Sequence, residues 1–145
     1  MKIGSYEFPD DLYYDAHHCW ARVEGDLVVT GITDFAQKLA GDIVYVEIPS
    51  KGRKVEQGAP YASMESGKWV GRLYAPVSGS IVAVNESLEE DTSLVNSSPY
   101  GDGWVAKIKP SDLGQLATLM KTGPKLEEFI QSEIARIEKE KTAKK

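Results

Sequence analysis

From Cys19 to Pro110 the chain is a series of short apolar and β-branched runs, each cut by glycine, proline or an Asp-containing turn before it could become a long helix. Residues 20–23 lead into Glu24-Gly25-Asp26, a turn signal, and then into Leu27-Val28-Val29. Two such runs across a short glycine-containing connection predict a hairpin. Ile43-Val44-Tyr45-Val46-Glu47-Ile48 is rich in β-branched residues and stops at Pro49, as a strand does. Further strands are expected over 61–65, 69–73, 80–84 and 103–108, with turns at Gly52, Gly58, Pro76 with Gly79, and Pro99 with Gly101. Many short strands at this spacing predict a sandwich or flattened barrel.

Helices are expected at the margins of these strands. Thr33 or Asp34 can cap one or two helical turns over residues 35–40. After Pro110, Ser111 or Asp112 opens a short helix through Leu113, Leu116, Leu119 and Met120, which Gly123-Pro124 ends. A last helix runs from about Lys125, with Leu126, Phe129, Ile130, Ile134 and Ile137 at helical spacing, and its charged end, 138–145, is expected to fray. The chain thus divides into residues 1–124, one mostly β domain with the short helix, and residues 125–145, a C-terminal helix and charged tail.

With 145 residues the chain can bury a single core. Its net charge of -5 argues against a nucleic-acid partner. Cys19 is the only cysteine, so no disulfide can close within the chain, the usual state of a cytosolic protein. Residues 1–10 hold one lysine and no apolar run, and no stretch is long and apolar enough for a bilayer. A cytoplasmic location without a membrane partner is expected.

The informative segment is Met64-Glu65-Ser66-Gly67-Lys68-Trp69-Val70-Gly71-Arg72-Leu73-Tyr74-Ala75-Pro76. Gly67-Lys68 lies between two strand-like runs, and glycine at the first central place suits a turn with positive φ. Lys68 would then stand at a hairpin tip with its amine in water. Such an amine is accessible to a ligase and can serve as the nucleophile for attaching a prosthetic group. By itself a turn lysine is most often only a solvated surface residue.

Glu65-Ser66-x-Lys68 resembles the lipoyl-attachment motif, and biotin carriers differ in having methionine on both sides of the lysine, where this chain has Gly67 and Trp69. His18-x-Trp20-x-Arg22-Val23-Glu24-Gly25, Gly31-Ile32-Thr33-Asp34-x-Ala36-Gln37 and Gly41-Asp42-Ile43-Val44-Tyr45-Val46-Glu47-Ile48-Pro49 are similar to segments of the glycine cleavage system H proteins. So are Val82-x-Val84-Asn85-Glu86-x-Leu88 and the run from Leu94-Val95-Asn96-Ser97-Ser98 to Pro99-Tyr100-Gly101-Asp102-Gly103-Trp104. The motifs stand in the same order as in that family. The resemblance implies a lipoyl-type hybrid barrel-sandwich, two antiparallel sheets with short helices and a C-terminal helix. It also implies lipoate on Lys68, attached by a lipoate-protein ligase or lipoyl transferase, and a carrier that catalyses nothing itself. Glu65, Ser66 and Gly67 complete the attachment motif; Glu65 either aids recognition of the hairpin or keeps the strand edge soluble.

Three departures bear on the cargo. H proteins usually place alanines and then an acidic residue after the modified lysine; here stand Trp69, Val70, Gly71 and Arg72. Beside the matched Trp20, Cys19 replaces an acidic residue, and His17 replaces another. An aminomethyl cargo is positive and favours nearby carboxylates, whereas Arg72 suits a neutral or anionic one; screened surface drift is the competing account. Ser66-Gly67-Lys68-Trp69-Val70-Gly71 also resembles lipoate-binding proteins of microbial sulfur oxidation, which work with a heterodisulfide-reductase-like complex. The expected function is therefore a lipoyl shuttle for sulfur, with the glycine cleavage H protein and its partner enzymes as the alternative. An unmodified interaction module is a third, from another class. Charge alone would steer the acidic chain toward basic clefts on its partners.

His18 matches a histidine near the arm's resting place in H proteins, so His18, Trp69 and Arg72 are the expected arm environment. His17, His18 and Cys19 are adjacent, but consecutive residues rarely supply three ligands to one ion, and no metal is expected. A Cys19 nucleophile paired with histidine would need an orienting third group, which nothing in the sequence supplies.

Overall fold

The computed structural model describes residues 1–143, with side chains through 140. Gly25, at φ 63°, closes the turn between β4 (Cys19–Glu24) and β5 (Leu27–Ile32), the left-handed position that glycine takes without a Cβ penalty. In chain order the other strands are β1 (Lys2–Ile3), β2 (Tyr6–Glu7), β3 (Tyr13–Tyr14), β6 (Ile43–Glu47), β7 (Lys54–Val55), β8 (Pro60–Ser66), β9 (Val70–Tyr74), β10 (Gly79–Val84) and β11 (Ala106–Pro110). A six-stranded sheet, β3-β4-β5-β11-β10-β7, faces a three-stranded sheet, β6-β8-β9, and β1-β2 forms a separate hairpin. All the strand pairings are antiparallel.

The main core lies between the two larger sheets and includes Val28, Met64, Leu73, Ile81 and Ile108. A second core lies on the other face of β4 and β5, where Trp20 and Val29 pack with Phe8, Tyr14 and Phe35. Strand side chains alternate between faces, so Cys19 and Ala21 enter the main core while Trp20 enters the second. Burial on both faces accounts for the unbroken apolar run at 27–29. Trp104 is only half-buried and packs at the edge of the second cluster.

Helix α1 (Asp34–Ala40) is capped by Thr33, whose hydroxyl accepts from the Ala36 N–H at 3.2 Å. Asp34 instead pairs with Lys38 at 3.2 Å. Two short helices follow, α2 (Ser87–Glu90) and α3 (Leu94–Ser97). The segment after Pro110 is a 3₁₀ helix, Leu113–Thr118, capped by the Asp112 carboxylate. The last helix, α4 (Pro124–Ala143), buries Leu126 and Ile130 in the second core. The charged end expected to fray runs on to residues 144–145, outside the described residues.

One strand boundary needs correction, and one hairpin was not expected. The last strand begins at Ala106, not at 103, because Gly103 is held in a turn with its N–H on the Ser98 carbonyl at 2.8 Å. The β1-β2 hairpin was not legible, since two-residue strands carry no periodicity. Among the described residues no helix is long and apolar enough to cross a membrane.

Candidate functional site: a lysine on a cradled hairpin tip

Strands β8 and β9 pair with Glu65 opposite Val70, and the chain reverses through residues 66–69. The Ser66 N–H donates to the Trp69 carbonyl at 2.8 Å. The Ser66 hydroxyl donates to the Ala40 carbonyl at 2.5 Å and accepts from the Lys68 N–H at 3.3 Å. Gly67 is not in the positive-φ region, contrary to expectation. The serine side chain stabilises this turn in place of a left-handed glycine, by the local bonding that hydroxyl residues offer turns. Ser66 thereby ties the tip to the end of α1.

Lys68 is exposed, and its stem rests over Gly41. A Cβ at Gly41 would lie 3.0 Å from the Lys68 Cε, and Gly41 has φ 82°, so both space and backbone call for glycine. Asn96 fixes this cradle: its amide nitrogen donates to the Gly41 carbonyl at 2.9 Å, and its oxygen accepts from the Ile43 N–H at 2.9 Å. The Lys68 Nζ has no hydrogen bond or ion pair among the described residues. A fixed base and a free amine fit a lysine that carries a covalent group into a partner. Gly41 and Asn96 were missed as site residues; their motifs were quoted for the family alone, and their meeting with Lys68 is long-range.

The other expected site residues are spread over different surfaces. Trp69 folds back along β9: a Cβ on Gly71 would come within 1.9 Å of its ring. Val70 and Arg72 face the opposite way, Arg72 in a row with Ser63 and Glu47. Trp69 and Arg72 therefore do not form one arm environment, and the two-residue period of a strand already predicts their separation. Arg72 has no ion-pair partner among the described residues. Glu65 is exposed between Tyr45 and Val70 on the outer face.

His18 is held against α1 and α4. Its Nε2 meets a Glu133 carboxylate oxygen of α4 at 2.8 Å, and its ring packs against Phe35 and Phe129. Burial lowers its imidazole pKa below the usual 6.5 despite the pairing with Glu133. The Glu133 carboxyl shows the competing balance: burial would raise it, but hydrogen bonds from Arg136 and His18 bring it below 4.5. His17 stacks on Tyr74 of β9 at 3.9 Å between centroids. Cys19 is fully buried, and burial pushes its thiol well above the ordinary range, which leaves it without nucleophilic character. No group of three or more His, Cys, Asp or Glu among the described residues could hold a metal ion.

Facing antiparallel sheets with an exposed lysine at a hairpin tip define a carrier domain of the lipoyl type. Residues 12–133 match the family model described as glycine cleavage H-protein. The chain is 48% identical over 127 residues to the glycine cleavage system H protein of Thermus thermophilus, covering 88% of this chain and 98% of that one. It is 46% identical over 139 residues to the probable glycine cleavage system H protein 2 of Sulfurisphaera tokodaii, covering 91% and 94%. The crystal structure of a glycine cleavage system H protein from Mycobacterium marinum superposes with a TM-score of 0.75 at 33% identity, covering 87% of this chain and 98% of that one. The chain belongs to the glycine cleavage H-protein family. Proteins of this family are non-catalytic carriers with lipoate bound covalently to a lysine. The expected sulfur cargo finds no support in these matches, which favour the glycine cleavage alternative.

Proposed function

We propose that Lys68 is the lipoylated residue and that the chain shuttles the aminomethyl group between the enzymes of glycine cleavage. The observation that carries this is the tip itself: an exposed Lys68 held over Gly41, with Ser66 anchoring the turn to α1. Glu65, Ser66 and Gly67 form the surface that a lipoate-protein ligase or transferase meets first. When bound, the lipoyl dithiol supplies the sulfur on which cargo travels; the protein holds the base of the arm still and leaves its end free. A single free cysteine is the usual state of a cytosolic protein, which supports a cytoplasmic location for this shuttle.

Two measurements test the assignment. Peptide mass analysis of protein from its native host should find the lipoyl group on Lys68, and the loaded protein should restore glycine cleavage to purified partner enzymes. A lipoyl group on another lysine removes the site assignment, and failure of the reconstitution removes the pathway.

One observation favours a second reading, in which the arm carries sulfane sulfur to a heterodisulfide-reductase-like complex. Arg72 is exposed with no ion-pair partner among the described residues, where family members usually have an acidic residue. Sulfur oxidation by that complex with the lipoylated protein, and no support of glycine cleavage, would establish it.

A further inference from the structure

The chain has four arginines, and two of them are neutralised where they stand. Arg22 meets Glu24 at 2.9 Å, and Arg136 meets Glu133 at 3.0 Å and Glu140 at 3.2 Å. Arg53 and Arg72 are exposed and have no carboxylate partner among the described residues. These two line one depression of about 400 Å³ on the outer face of the three-stranded sheet.

The fold brings them together. Alternate side chains of a strand share a face, so Val70 and Arg72 stand side by side, with Ser63 of β8 opposite Arg72. Arg53, just before β7, is held by one guanidinium N–H that donates to the Tyr61 carbonyl at 3.1 Å. A guanidinium has five N–H donors, so most are left for an outside acceptor. Glu47 borders the same depression, but its carboxylate accepts from the Ser63 hydroxyl at 3.4 Å and pairs with neither arginine. Glu65 lies in the next row, nearer the tip. The depression therefore holds two positive groups against one negative, on a chain whose net charge is -5.

Apolar surface adjoins these charges. Val70 is 71% exposed, and Tyr45, in the same row across Glu65, is 50% exposed. Arginine and aromatic residues are the side chains enriched in protein interfaces. A small anion on two open guanidiniums would compete with water and salt for every donor, whereas a protein surface can cover both arginines and Val70 at once. Arg72 is four residues from Lys68, a span of at most about 14 Å, so a partner seated here reaches the tip.

On the reading that Lys68 carries the arm, we infer that the face around Arg53, Arg72 and Val70 is a docking surface for an enzyme that acts on the arm. That partner presents carboxylates to the two guanidiniums and an apolar side chain to Val70. On this face the protein selects an acidic surface, the reverse of the steering toward basic clefts that its net charge gives.

The test uses the full-length protein. In amide NMR, a capped peptide with two glutamates on each side of one leucine should shift the signals of Arg53, Ser63, Val70 and Arg72. The shifts should vanish in Arg72→Glu, and the lysine counterpart of the peptide should cause none. Equal shifts at Lys54, Lys107 and Lys109, or none on the outer face, overturn the proposal. Malonate binding there as tightly as the peptide makes the site one for small anions and overturns it too. With lipoylated protein and purified glycine cleavage enzymes of the native host, Arg53→Glu and Arg72→Glu should each raise the carrier's KM for at least one enzyme roughly tenfold without lowering kcat. Added salt should narrow that difference. Lys109→Glu, at an exposed position on β11, should change neither constant. An unchanged KM in both arginine variants with every enzyme overturns the docking surface and leaves the attachment site standing. A wild-type carrier that none of these enzymes accepts removes the pathway, and the peptide titration then decides the docking surface by itself.

Discussion

Two short connections in this protein are built on opposite plans. The tip at residues 66–69 is closed by one backbone bond from Ser66 to Trp69 and secured by one serine hydroxyl, and its lysine amine is exposed. The loop at residues 15–19 is nearly the reverse. Asp15 Oδ1 accepts from the N–H groups of His17 and Cys19, both at 2.9 Å. His18 sits at φ 66°, its carbonyl accepts from Thr33, and its ring is clamped by Glu133 and two phenylalanines. A non-glycine residue in the left-handed region costs of order 1–3 kcal/mol and persists only where its surroundings over-determine it. Conformational cost is thus concentrated in the loop that joins β3 to β4 and touches α4, while the tip is left cheap to present.

Changes at the tip should remove function without stability, and changes in the loop the reverse. Lys68→Arg should abolish lipoylation by intact mass while leaving the melting temperature unchanged; a stability loss would show that Lys68 also supports the fold. Asp15→Ala should cost about 1–3 kcal/mol in urea unfolding, since it orphans the buried Cys19 N–H, while the N–H of exposed His17 can turn to water. Asp15→Asn, which keeps the acceptor, should cost less.

Gly41→Ala connects the two regions, because Gly41 is rigid backbone that serves the exposed tip. It should lower stability by about 1–3 kcal/mol through backbone strain and slow lipoylation by crowding the Lys68 stem. Unchanged lipoylation would mean that the cradle does not set the lysine's presentation.

The pH response of the loop is set by groups that favour their neutral forms. His18 is held below 6.5 by burial, so the unfolded chain binds its proton more tightly and acid favours unfolding. Its contribution is present above about pH 6.5 and is lost as pH falls through the lowered folded value. Burial raises the Asp15 carboxyl above 3.8, so the sign is opposite: stability from that group falls as pH climbs from 3.8 through its folded value. His18→Gln should therefore flatten the decline of stability below pH 6.5, measured by urea midpoints across the acid range. An unchanged slope would assign that decline to other groups. The smallest effect is expected from Glu65→Gln, a fewfold loss in ligase kcat/KM with stability unchanged to within about 0.5 kcal/mol, as for most surface substitutions.

Much of this was readable from local patterns. Turn residues and β-branched runs located most of the strands because each such signal acts within a few residues. Lys68 was legible in the same way, since Glu65-Ser66-x-Lys68 is a short motif in a turn. The grouping of His18, Trp69 and Arg72 failed for a different reason. Sequence likeness to one family cleft says nothing of which face of a strand each side chain takes, and residues 69 and 72 differ in parity.

By itself the sequence determined the mostly β fold, the cap at Thr33 or Asp34 and the lysine at the turn, all consequences of local backbone preference and spacing. Tertiary structure alone decided that Asn96 would hold Gly41 under Lys68. It also decided that Tyr6 and Ile137, from opposite ends of the chain, would meet beside Trp69. Such meetings depend on how two cores stack on the two faces of β4 and β5, and packing between distant segments leaves no periodicity in the sequence to read.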